Sequence, residues 1–116
     1  MKFAIAQRLG SPQPTDVSRA ETIAIYERRH GQFTQIESRP IPGELKPADW
    51  AGWLALLRGC AGIIARGFPP RLAFELQRHR IVTLSGDSFG PLGIDDALDF
   101  LASIARHDTF EEGAGI

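Results

Sequence analysis

Residues 60–84 read CAGIIARGFPPRLAFELQRHRIVTL, and this stretch decides the fold class. It opens on a compact apolar run, Cys60 to Ala65, that has the look of an interior strand. Gly67 breaks the run, and Pro69 and Pro70 then open a helix, since proline is tolerated in the first helical turn where its missing N–H is no loss. Leu72, Ala73 and Leu76 share one side of that helix, which runs to about His79. Ile81-Val-Thr-Leu84 is a further strand. A strand, a helix and a strand in this order make a βαβ unit, and the chain belongs to the α/β class.

Working upstream, Trp50, Trp53, Leu54 and Leu57 fall on one stripe of a helix that enters through Pro47 and stops at Gly59. Before it, Arg39 to Lys46 is a proline-rich connection. Glu21–Arg28 and Gln32–Ser38 are strands, and Arg29-His30-Gly31 between them supplies the glycine that a tight hairpin needs. Lys2–Gln7 is a first, buried strand, separated from the hairpin by the polar loop 8–18. Downstream of the glycine-rich loop Ser85–Gly93, Ile94, Ala97, Leu98, Leu101, Ile104 and Ala105 keep helical spacing, with Asp95 and Asp96 in the first turn where the helix dipole favours carboxylates. The expected architecture is a three-layer α/β domain: a five-stranded mixed sheet with three helices. It occupies residues 1–106, and residues 107–116, which lose the apolar period, are expected to form a flexible tail.

The chain has 116 residues, a formal net charge of -1, and one cysteine. It is long enough for one real core and too short for two. The charge balance lacks the basic excess of a non-specific nucleic-acid or anionic-membrane binder. No targeting or membrane-spanning run is present, so a cytoplasmic location is expected. Cys60 alone can form neither an internal disulfide nor a Cys-x-x-Cys zinc or redox pair. Of the thirteen basic residues only Lys2 and Lys46 are lysines, a bias that either reflects bidentate anion contacts or a GC-rich genome.

Five short segments then carry a resemblance. Lys2-Phe-Ala-Ile-Ala6, Arg19-Ala-Glu21 leading into Ile23-Ala-Ile-Tyr-Glu27, Leu57-Arg-Gly-Cys-Ala-Gly-Ile-Ile64, Gly67-Phe-Pro-Pro70 and Gly93-Ile-Asp-Asp-Ala-Leu98 occur in this order. Together they resemble the dinitrogenase iron-molybdenum cofactor biosynthesis family. The resemblance implies a ribonuclease-H-like fold and a role in nitrogen fixation, binding or carrying an iron-sulfur or iron-molybdenum cofactor as cargo during nitrogenase assembly. Partners would then be nitrogenase assembly proteins or a nitrogenase component. Three positions depart from the family pattern. Asp16-Val-Ser18 stands where a His-Phe-Gly is common, so the family's metal-facing histidine is absent; Pro69 replaces a glycine at the second helix start; and Arg80 replaces the glycine that commonly ends that helix.

Candidate binding residues are Arg19, Cys60, Arg66, Gly67 and Arg71. By family position Cys60 is the metal ligand, a soft thiolate suited to holding a preassembled cluster, and its other reading is a small hydrophobe at the start of a buried strand. Arg66 and Arg71 flank the carboxyl end of the fourth strand, where α/β sheets bind ligands, and Gly67 allows close backbone approach. They can pair with a cofactor whose organic acid is rich in carboxylates, or else stand solvated or paired with Glu75. Arg19 joins them by family position. His30, His79 and His107 match no metal-ligand spacing. The first strand carries no carboxylate, as nucleases of this fold require, and no hydrolase motif occurs, so an enzyme is not expected. The alternative is a protein-interaction module of the same fold that has lost cofactor binding and docks through the Trp50/Trp53 face or the loop 85–93.

Overall fold

The computed structural model describes residues 1–86 and 93–114, with side chains described through Ala105. Five strands, β1 (Lys2–Gln7), β2 (Thr22–Arg29), β3 (Gln32–Pro40), β4 (Cys60–Ala65) and β5 (Val82–Ser85), form one sheet in the order β3-β2-β1-β4-β5. β2 is antiparallel to β1 and β3, whereas β4 runs parallel to β1 and β5. Helices α1 (Trp50–Leu56), α2 (Pro70–Arg78) and α3 (Ile94–Ala114) complete the fold. This is the expected three-layer, ribonuclease-H-like α/β architecture.

The period of two along each strand builds both faces. Ala4, Ala6, Ile23, Ile25, Ile63 and Ala65 pack with Trp53 and Leu57 of the α1 region and Leu72 and Leu76 of α2. Phe3, Ile5, Ile64 and Leu84 pack with Ala97, Leu98 and Leu101 of α3 on the other face. Because β1 and β4 are covered on both sides, they read as continuous apolar runs rather than as alternating ones. The β2–β3 connection is the tight hairpin expected, one residue shorter because Arg29 pairs with Gln32: His30 and Gly31 have φ of 53° and 80°, the pair of left-handed residues that matches the twist of the flanking strands.

Element ends differ from the sequence expectation in several places, β2 being shifted by one residue at each end. α1 begins at Trp50 and not at Pro47, because the Asp49 carboxylate accepts a hydrogen bond from the Gly52 N–H at 3.1 Å and caps the helix there. β3 continues through Arg39 and Pro40, opposite Ile23 and Thr22, where a connection was expected. β5 starts one residue late, since the Ile81 N–H donates to the Leu76 carbonyl at 2.9 Å and so belongs to the end of α2. Finally, α3 runs to Ala114, so the stretch from His107 that was expected to be a tail is helical to that point. Residues 115 and 116, and residues 87–92 of the glycine-rich segment, lie outside the described residues. No described helix is long and apolar enough to cross a membrane.

Candidate functional site

At the carboxyl ends of β1 and β4, the loop after β1 folds back across the sheet. Pro14 bridges Gln7, the Thr15 N–H donates to the Ala6 carbonyl at 2.9 Å, and the Gln7 side-chain amide donates to the Pro12 carbonyl at 2.8 Å. The same loop then joins β4. The Arg66 N–H donates to the Thr15 carbonyl at 3.0 Å, and the Val17 N–H donates to the Gly67 carbonyl at 3.1 Å. One 3-10 turn, Val17–Arg19, follows, with Val17 buried as its anchor and Arg19 exposed. This backbone pairing sets two sequence-predicted residues, Arg66 and Gly67, against Thr15 and Val17; a third, Arg19, lies two residues beyond Val17 in the 3-10 turn, and Arg71 stands in the first turn of α2, four residues after Gly67.

The side chains of this end differ in their freedom. Arg66 and Arg19 are exposed. Arg71 is also exposed but meets the Glu75 carboxylate at 3.3 Å, and Glu75, only 2% exposed, is shared with Arg78 at 3.5 Å. A buried carboxylate held by two guanidinium groups fixes the outer face of α2. The close approach expected at Gly67 is real, but the group that approaches is the protein's own. A side-chain carbon there would stand 2.5 Å from the Asp16 carboxylate oxygen. Asp16 is thus a member of the site that the candidate set omitted. Nothing in the order of residues in this proline-rich loop marks it. The paired prolines leave α2 without a side-chain cap, and they remove N–H donors from its start.

Cys60 is not part of this cluster. β4 begins at Cys60 and reaches Arg66 six residues later, about 20 Å away at the usual rise of a strand. The register explains which face it takes. Lys2 pairs with Cys60 but Phe3 pairs with Gly62, so Ala61 is an extra residue that reverses the alternation. Without this bulge Cys60 would share the α3 face with Gly62 and Ile64; with it, Cys60 packs in the core formed with Trp53 and Leu57. Burial pushes its thiol up in pKa, with Arg39 and Lys2 opposing and Glu37 reinforcing the shift, so the neutral thiol is favoured over a thiolate. Arg39 closes this end. Its guanidinium donates to the Leu56 and Arg58 carbonyls at 2.7 and 2.9 Å, after the last turn of α1, and to Glu37 at 2.9 and 3.2 Å.

The aromatic face offered for docking is largely interior. Trp53 is 1% exposed and its indole N–H donates to the Lys46 carbonyl at 3.3 Å, while Trp50 is half-buried against the His79 ring. His79 itself ends α2, with Nδ1 2.8 Å from the Glu75 carbonyl oxygen. Among the described residues no group of three or more His, Cys, Asp and Glu side chains is arranged to hold a metal ion.

A sheet of order 3-2-1-4-5 with its second strand reversed and helices on both faces defines the class: a ribonuclease-H-like α/β fold. No family model matches the chain, and no curated protein matches it either. Among solved structures it is similar to one described as "Crystal structure of PH0822", with a TM-score of 0.56 and 14% identity, covering 74% of this chain and 78% of that one. At that identity the likeness is one of fold.

Proposed function

We propose that this protein is an accessory protein of nitrogenase cofactor biosynthesis that carries an anionic cargo, an iron-sulfur or iron-molybdenum cofactor or precursor, and hands it to a nitrogenase assembly partner without catalysing a reaction. The observation that supports the reading is that two segments carrying exposed arginines, Arg66 after β4 and Arg19 after Val17, are tied together by the Thr15–Arg66 and Val17–Gly67 backbone bonds, with Arg71 on the adjoining helix turn. Guanidinium groups match carboxylates in a two-point geometry, which suits a cargo that presents organic acid groups. In this reading Cys60 serves packing, being a buried thiol at the other end of β4, and Asp16 faces any metal or other cationic part of the cargo.

The test is anaerobic incubation of the protein with isolated iron-molybdenum cofactor, then gel filtration with iron and molybdenum analysis. Both metals should elute with the protein at micromolar concentration. Arg66→Ala and Arg19→Ala should each lower the retained metal without lowering thermal stability, and Cys60→Ser should leave retention unchanged. Absence of both metals from the protein peak overturns the carrier reading, and loss of retention in Cys60→Ser alone moves the site to the opposite end of the strand.

A further inference from the structure

α2 and α3 pack on opposite faces of the sheet, and each leaves a phenylalanine in water, Phe74 at 60% exposure and Phe100 at 47%. The inner stripes of both helices are filled without them, by Leu72 and Leu76 on α2 and by Ala97, Leu98 and Leu101 on α3. One exposed ring by itself needs no explanation. Two rings set among charges of opposite sign do.

Arg71, Phe74 and Arg78 follow one another at i, i+3 and i+7 along the outside of α2, and the Arg78 guanidinium lies 6.0 Å from the centre of the Phe74 ring. Glu75 meets one nitrogen of each arginine from the buried side, and both arginine side chains still stand mostly in solvent. Two arginines against one buried carboxylate leave this face positive. On α3 the exposed residues around Phe100 are Asp95, Asp96 and Asp99, and Arg28 of β2 pairs with Asp99. Three aspartates against one arginine leave that face negative. The spacings match as well. Phe74 and Arg78 are four residues apart, and so are Asp96 and Phe100. When two such helices lie antiparallel, ring meets ring and guanidinium meets carboxylate about 6 Å further along the axis, at the usual helical rise.

We propose that the outer face of α2 docks on the outer face of α3 of a second copy of this chain. The occupant is a second copy because the chain itself carries both halves of the match, and a formal net charge of -1 leaves little long-range repulsion between copies. α2 and α3 face away from each other across the sheet, so a copy that uses one face still offers the other, and the contact is head-to-tail. Two helix faces of this length make a small interface, so the association is reversible and depends on concentration. The inference does not rest on the cargo reading, which uses none of Phe74, Arg78, Asp96 and Phe100.

The experiment is sedimentation equilibrium of the full chain from micromolar to millimolar concentration. In low salt the average mass should climb from that of one chain past that of two, and about 1 M salt, where the screening length is ~3 Å, should weaken the association at least roughly tenfold. Phe74→Glu sets a carboxylate between the two arginines and should stop the growth. Asp96→Asn combined with Phe100→Gln removes a charge and the ring from the other face and should do the same. All three side chains are exposed, so both variants should keep the circular dichroism spectrum and the cooperative unfolding of the parent. Mixed together, the two variants should form a 1:1 pair that grows no further, because one intact α2 face and one intact α3 face remain between them. A parent chain that stays monomeric at millimolar concentration in low salt, a parent mass that stops at two chains, growth that survives in either variant, or a mixture that stays monomeric would each overturn the proposal.

Discussion

The two ends of β4 lie one short strand apart and have opposite characters. At the amino end, Cys60 is enclosed by Trp53 and Leu57, and Arg39 ties β3 to the carbonyls that follow α1. Its polar groups are satisfied within the protein. At the carboxyl end, Arg66 and Arg19 are exposed, and backbone hydrogen bonds with the buried Val17 side chain hold the crossing loop to the strand. The difference shows what a thiol and a guanidinium need from a fold. A small sulfur side chain gains from removal from water, whereas a charged group keeps its capacity to bind an anion only while it is left at the surface.

The comparison can be broken or sharpened by experiment. If the amino end is a packed core, Trp53→Ala should cost the most, about 3–5 kcal/mol by denaturant unfolding, because a fully buried indole leaves a large cavity. Arg39→Ala should cost about 1–2 kcal/mol, since two carbonyls lose a charged donor, while Glu37→Ala should cost less because that carboxylate is exposed. At the carboxyl end, Gly67→Ala should cost less than about 1 kcal/mol, because the Asp16 carboxylate that the new methyl meets is the end of a half-buried side chain that can turn aside, and that cost should disappear in an Asp16→Ala background. A Gly67→Ala cost unaffected by Asp16 would mean that the loop is held elsewhere.

Alkaline titration distinguishes the ends more finely. Burial holds the Cys60 thiol above its ordinary pKa, so above that ordinary value the unfolded chain loses its proton first and the folded chain keeps it. The folded state then binds more protons, and stability falls as pH rises through the window between the two values. Tyr26, raised first by burial and then by the nearby Asp95 charge, adds a second decline at higher pH. The urea midpoint of Cys60→Ala should therefore lack the first decline and retain the second; a profile identical to that of the parent protein would place the thiol in solvent. The smallest effect is expected for Arg66→Ala, within about 0.5 kcal/mol by thermal unfolding, because an exposed side chain at this end supports no core.

The strands were legible in the sequence because their signals are local. Apolar runs such as Phe3–Ala6 and Ile63–Ala65 record burial directly, and His30-Gly31 announces its own turn. The helix starts were less so, since Pro47 and Asp49 both suit a start and only the formed bond to Gly52 selects between them. Of the candidate binding residues, Arg66, Gly67 and Arg71 were chosen for their place at the end of the fourth strand, which the structure shows to be parallel to β1 and β5, whereas Arg19 reaches this end of the sheet only because the loop before it pairs with residues 66 and 67. Asp16 was passed over because nothing in a proline-rich loop reveals that it folds back onto Gly67.

The sequence by itself determined the α/β class, the order of the elements and the single cysteine, because periodicity and composition are properties of the chain alone. Only the tertiary structure decided which face and which end each side chain occupies. One extra residue at Ala61 turns Cys60 from the α3 face into the core beneath α1, and one loop closing on β4 brings Arg19 and Asp16 to Arg66. The loop's contacts are Thr15 with Arg66 and Asp16 and Val17 with Gly67, so both outcomes depend on pairing between segments distant in sequence, and register between strands is set by packing on the assembled sheet.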